Sequence, residues 1–258
     1  MSWSTRRKFL YLLIVVVVFL LALTYFLYPL FKENPVCTDG KQNGTELGID
    51  CGGICTNLCL SQVHPISISW QRSFPVAPGV YDVIGYVENQ NADAGVPNLL
   101  YKFKLYDEKN VLVAERDGKT FIGPNQTTVI FESHIETGKK EPKRVFLEFE
   151  EGYQWIKTDP RFEKITFSVK DKNLTGASTT PRLSATISND SLTDLSNVEV
   201  AAILRDSEDN ALAVSKTVID FLPKQTSRDA YFTWLKPFSS PVYRTEIIPR
   251  VDPFNTLF

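Results

Sequence analysis

From Phe9 to Phe31 the chain reads FLYLLIVVVVFLLALTYFLYPLF, apolar at almost every position and free of charge. A helix rising 1.5 Å per residue needs about 20 such residues to cross a bilayer, so this run predicts a membrane-spanning helix. It is longer than the apolar core of a cleavable signal peptide, and Leu21-Ala22-Leu23-Thr24 makes a poor cleavage site. Tyr25, Phe26 and Tyr28 suit an interfacial aromatic belt. Beyond residue 31 the pattern changes to short runs of period two, the signature of strands with one face on a core. No later segment holds a helical period over a useful length.

The alternation returns at a spacing of 99 or 100 residues. ISISW (66–70) matches ITFSV (165–169), GYVEN (85–89) matches ATISN (185–189), and GPNQT (123–127) matches LPKQT (222–226). Leu99, Tyr101, Phe103 and Leu105 share one strand face; Val198, Val200, Ala202 and Leu204 hold the same places in the second copy. Turn formers follow at Asp107–Asn110 and Asp206–Asn210. With roughly seven strands per copy, the expectation is an all-β exterior: two tandem immunoglobulin-like β-sandwiches after one transmembrane helix and a small disulfide-stapled knot. The divisions read as a cytoplasmic tail 1–8, anchor 9–31, cysteine-rich knot 32–60, first sandwich 61–150, linker 151–164 and second sandwich 165–258. Tyr153, Trp155 and Phe162 give the linker packing residues where a flexible one would have Gly and Ser, so a stiff rod is expected.

Charge fixes the orientation. Arg6, Arg7 and Lys8 precede the span, while only Lys32, beside Glu33, follows closely. The positive-inside bias therefore puts the N-terminus in the cytoplasm and residues 32–258 outside a cell membrane. Without the three tail cations the exterior holds 25 Lys and Arg against 30 Asp and Glu. With no basic run, nucleic acid is excluded as a partner class.

The exterior location decides how to read CTDGKQNGTELGIDCGGIC (37–55), with Cys59 just after it. Outside the membrane, Cys37, Cys51, Cys55 and Cys59 read as two disulfides, of undetermined pairing. The spacing lacks the C-x2-C knuckle usual for structural zinc, which is the competing reading. Asp39, Asn43, Glu46 and Asp50 recur every three to four residues and could supply oxygens to a calcium ion; the other reading is that Asp, Asn and Gly simply build tight turns. No other cofactor is implied.

Catalytic patterns are sparse. His64 and His134 lie a whole sandwich apart, and there is no G-x-S-x-G elbow, phosphate loop or H-E-x-x-H helix. The chain therefore reads as non-catalytic. Asn43, Asn125, Asn173 and Asn189 begin N-x-S/T sequons that double as ordinary turn residues. Trp70 and Trp234 fall on strand patterns, and Phe74–Pro78 forms an apolar stretch that either meets a partner or caps the sandwich.

Two resemblances follow from quoted residues. Phe103-Lys104-Leu105-Tyr106-Asp107, preceded by Val83-Ile84-Gly85-Tyr86-Val87-Glu88-Asn89 and followed by Gly123-Pro124-Asn125, resembles the FxLYD domains, small immunoglobulin-like sandwiches of prokaryotic surface proteins. The second copy, with Ala202, Leu204, Arg205 and Asp206 in these places, departs from that motif at Ala202 and Arg205. The string Cys37, Asp39, Gly40, Asn43, Glu46, Gly48, Asp50, Cys51, Gly52, Gly53, Cys55 is similar to a C-x-D-G-x-x-N-x-x-E-x-G-x-D-C-G-G-x-C segment of bacterial surface proteins, including those of small uncultured lineages. The resemblances imply a cell-surface protein that presents its modules to an envelope protein or glycan. The competing expectation is a spacer or assembly component of an envelope machine such as a secretion or pilus-like apparatus.

Overall fold

The computed structural model describes residues 3–31, 36–159 and 164–255. Lys32, Glu33 and the linker residue Phe162 lie outside the described residues. The chain divides into two compact units, Met1–Cys55 and Thr56–Phe258.

In the first unit, helix α1 (Trp3–Phe31) follows from the unbroken apolar run. Its segment Leu10–Tyr28 is long and apolar enough to cross a membrane, and none of it is buried inside the protein. A signal sequence would pass the same test. After residue 36 the unit is a chain of turns whose three cysteines, Cys37, Cys51 and Cys55, are all oxidised.

The second unit is built from strands. The first six are β1 (Ser67–Ala77), β2 (Val80–Asn89), β3 (Ala94–Tyr106), β4 (Leu112–Ile122), β5 (Gln126–Glu136) and β6 (Arg144–Phe149). They form two antiparallel sheets, β1-β2-β5 and β4-β3-β6, with the short β7 (Ile156–Lys157) pairing the start of β3. The next six are β8 (Phe167–Thr175), β9 (Arg182–Asn189), β10 (Leu195–Arg205), β11 (Ala211–Leu222), β12 (Ser227–Thr233) and β13 (Arg244–Arg250). Their sheets run β8-β9-β12 and β11-β10-β13, the same pairing order as the first six.

Turn chemistry is the same in both sets. The Asp107 carboxylate accepts the amides of Lys109 and Val111; that of Asp206 accepts those of Glu208 and Asn210. Asn89 and Asn189, both fully buried, each donate Nδ2 to two carbonyls: Ala94 and Gly123 in one case, Thr193 and Leu222 in the other. Buried amides need such partners, so each Asn ties a strand end to two loops. The Asn189 sequon is therefore a structural lock.

Three cores result. One joins the first two sheets and contains Leu99, Phe103 and Leu105 from β3 with Val83, Val87 and Ile130. Gly85 faces this core, where a Cβ would meet the Leu147 and Phe103 side chains. Trp155 from the linker fills its end at 2% exposure, which the linker's aromatic content had suggested. The second core joins the other two sheets through Val198, Val200, Ala202 and Leu204, with Leu183, Ile187 and Phe232.

The third core sits between the halves. Ile84, Phe74 and Val129 meet Ala201, Ile203, Ala211 and Val214 there, with Trp70, Tyr86, Phe131 and Ile248 packed alongside. Sheets β1-β2-β5 and β11-β10-β13 are thus buried on both faces, making four sheet layers around three cores. The halves meet broadside, not end to end as in a rod. A bulge between Ile68 and Trp70 carries β1 across: Ile68 packs in the first core and Trp70 in the third.

Candidate functional site

Two places concentrate unusual chemistry: the cysteine segment of the first unit and the middle core of the second.

In the cysteine segment, Cys37 is bonded to Cys55, and Cys51 and Cys59 are disulfide-bonded as well. Tight turns bring them within reach. Gly40, Gly44, Gly52 and Gly53 all have positive φ, as does Asp50. At Gly53 any Cβ would strike the backbone carbonyl of Thr45, so the close approach of the two loops requires glycine.

The proposed calcium ligands are gathered here, but mostly around N–H groups. The Asp50 carboxylate accepts the amides of Asp39 (3.0 Å) and Gly40 (2.9 Å). Asp39 accepts the Lys41 amide (2.9 Å) and the Asn43 side-chain amide (2.7 Å). Glu46, buried at 8% exposure, accepts the Asn43 amide through Oε2 (3.0 Å). Such bonds are how a short segment without a core satisfies its turns. Asn43 Oδ1 is the exception, enclosed and without a donor among the described residues. The other Glu46 oxygen, Oε1, stands 3.3 Å from the Cys55 sulfur.

The middle core is clamped by two arginines from the second half. Arg205, at 7% exposure, bonds Glu246 through Nε (3.0 Å) and Nη2 (2.9 Å) and lies over the rings of Trp70 and Tyr86. Those rings stack at 5.3 Å, and the Tyr86 hydroxyl donates to Glu246 at 2.8 Å. Burial, then the hydrogen bond to Glu246, pushes the Tyr86 phenol up to about 12; it stays a neutral donor.

Arg250, at 6% exposure, reaches Glu199 (2.8 Å), Thr120 (3.0 Å), Thr128 (3.3 Å) and the Phe121 carbonyl (3.4 Å), with Phe121's ring 4.6 Å away. Burial raises the Glu199 carboxyl, but Arg250 and Lys216 outweigh it and hold the group below its ordinary range. Every nitrogen of both guanidinium groups meets a protein acceptor, Arg205 Nη1 on the Asp209 carbonyl (3.0 Å), which makes them fasteners more than receptors for a ligand.

The outer faces carry charged pairs, with Leu100 and Phe146 exposed among them on β4-β3-β6. On β4-β3-β6, Lys102 pairs with Asp117 (3.1 Å) and Lys104 with Glu148 (2.6 Å). On β8-β9-β12, the register aligns Asn173, Ser184 and Tyr231, then Lys170, Thr186 and Asp229. Phe74–Pro78, read as a partner-facing or capping stretch, lies at the end of β1, and Phe74 is 8% exposed in the middle core. Phe74, Pro75 and Val76 also border a cleft of about 280 Å³ with Trp234, Leu235 and Phe238. Trp234 is anchored by its indole N–H on the Val214 carbonyl (3.0 Å).

The two histidines are exposed. His64 is held through its backbone amide on Asn91 (2.7 Å), and the His134 amide bonds Asp82 (3.0 Å). The arginine clamps and paired asparagines were missed from the sequence. The spacing of Asn89 and Asn189 within the repeat was the available signal for the asparagines.

No family model and no curated protein matches the chain. Among solved structures, red sea bream transglutaminase aligns at 11% identity and a TM-score of 0.23, over 73% of this chain and 31% of that one. The C-terminal globular domain of an oligosaccharyltransferase from Pyrococcus abyssi aligns at 10% identity and a TM-score of 0.17, over 72% of this chain and 46% of that one. The chain thus spans less than half of either protein, and likenesses this weak carry no argument about fold or activity.

Proposed function

We propose that this is a single-pass protein of the cell membrane, N-terminus in the cytoplasm, which presents two immunoglobulin-like β-sandwiches outside for non-catalytic interaction with an envelope protein or glycan. The observation that carries the reading is the order of parts: an unburied apolar helix, then an oxidised cysteine segment, then a body made of sheets. Disulfides persist in oxidising compartments, and the arginines before the span favour retention of the N-terminus inside. The matched strand order of β1–β6 and β8–β13 supports an internal duplication, with FxLYD-like and more divergent copies. The outer sheets and their loops are the surfaces left for a partner.

The test is in-cell crosslinking of the full chain with an impermeant reagent, followed by mass spectrometry. Recovery of one defined envelope component supports the reading. Absence of any crosslink with the impermeant reagent, with four reduced thiols, would overturn it.

The broadside core favours a second reading, a rigid spacer or assembly part of an envelope machine. In that case substitutions on the outer faces and loops leave function intact, while loosening the middle core abolishes it. The opposite pattern removes the spacer role.

A further inference from the structure

We propose that Glu46 acts as an electrostatic guard of the Cys37–Cys55 disulfide, protecting it from thiol reductants. The Glu46 Oε1–Cys55 Sγ distance of 3.3 Å has the geometry of a hydrogen bond, yet a disulfide sulfur carries no proton to donate. A carboxylate oxygen at 8% residue exposure is therefore aimed at sulfur. A carboxylate oxygen of Glu46 also lies within 4.8 Å of the Cys37 sulfur.

Reduction must place negative charge at this spot. An incoming thiolate attacks one sulfur, forms a mixed disulfide and expels the other sulfur as a thiolate. Cys55 is 5% exposed and Cys37 only half-buried, so Cys37 is the reachable target. Attack there expels Cys55 as the thiolate, directly beside the Glu46 carboxylate. With a dithiol, the second thiolate then attacks the mixed disulfide and releases Cys37. Two electrons pass from the dithiol, which ends as its own disulfide, and each cysteine thiolate takes a proton from water. Like charges in a site shielded from water repel strongly. A leaving thiol made more basic leaves more slowly. The more accessible route among the described residues thus runs through the transition state that the carboxylate opposes.

The experiment treats the full chain in detergent micelles with dithiothreitol, quenches by alkylation, and maps each cysteine by mass spectrometry. In Glu46→Gln, which keeps shape and removes charge, labelling at Cys37 and Cys55 should accelerate about tenfold. Labelling at Cys51 and Cys59 in the same sample should change less than twofold. Glu46→Ala should match Glu46→Gln. Unchanged rates at Cys37 and Cys55 overturn the proposal. So does equal acceleration at all four cysteines, which would mean the segment had merely loosened. Acceleration in Glu46→Ala but not in Glu46→Gln would assign the effect to packing and overturn it as well.

Discussion

Replacing Arg250 with Met tests the clamp at the middle core. The substitution keeps most of the aliphatic volume but removes a guanidinium at 6% exposure that bonds Glu199, Thr120, Thr128 and the Phe121 carbonyl. Breaking a buried ion pair from one side costs about 3–5 kcal/mol. Glu199 keeps Lys216 at 3.4 Å and its side chain is 25% exposed, so part of its charge stays solvated. The expected loss is about 2–3 kcal/mol, or roughly 5–10 °C in melting temperature for a body of this size. Acid dependence adds an independent readout. The folded Glu199 carboxyl is held below its ordinary range, so its contribution is present above the unfolded carboxylate pKa and is lost as pH falls through the folded value. Arg250→Met should therefore flatten the acid limb of the stability curve along with lowering its plateau. Glu199→Gln should cost a comparable amount, and the double variant should cost clearly less than the two combined. Urea unfolding of the detergent-solubilised chain, followed by tryptophan fluorescence from pH 3 to 7, measures all of this. A loss under about 1 kcal/mol with an unchanged acid limb and additive variants would refute the clamp.

Three further outcomes follow. Asn89→Ala leaves the Ala94 and Gly123 carbonyls without their donor and should cost about 2–4 kcal/mol by chemical denaturation; a cost under 0.5 would contradict the lock. Asp50→Ala removes the acceptor for the Asp39 and Gly40 amides and should lower the melting temperature of the oxidised chain equally with and without EDTA. Should EDTA destabilise the parent but not the variant, the segment binds calcium, with the unpartnered Asn43 Oδ1 as the ligand of the four best placed to accept it. Ile203→Asp puts a charge into the middle core at a residue with no exposure; limited proteolysis should then cut between the halves, at the 151–164 segment, faster than in the parent. Unaltered cleavage there would argue against a shared core.

The strands were legible because one face of each is buried. Leu99, Tyr101, Phe103 and Leu105 are the core face of β3, and Val198, Val200, Ala202 and Leu204 that of β10. The joining of the halves was harder to read. The other face of β3 carries Lys102 and Lys104, whereas β10 puts Ala201 and Ile203 there; that contrast marks a strand buried twice. Trp70, on a strand pattern, packs in the third core, on the face opposite to the one its parity with Ile68 suggests. The bulge that turns it has no marker in SISWQR. In the cysteine segment, residue types announced oxidation and tight turns. Which carboxylate caps which amide depends on loop closure across ten or more residues, and the pairing of cysteines does too.

The broadside joint is asymmetric, since it mates one kind of sheet from the first half with the other kind from the second. Head-to-tail contacts of this type could in principle continue without limit. Here both ends are sealed: the site matching Ile203 holds Lys104, and those matching Ile84 and Tyr86 are Ser184 and Thr186. Appending a third pair of sheets would therefore not lengthen the pile unless β8-β9-β12 were first repainted with apolar side chains.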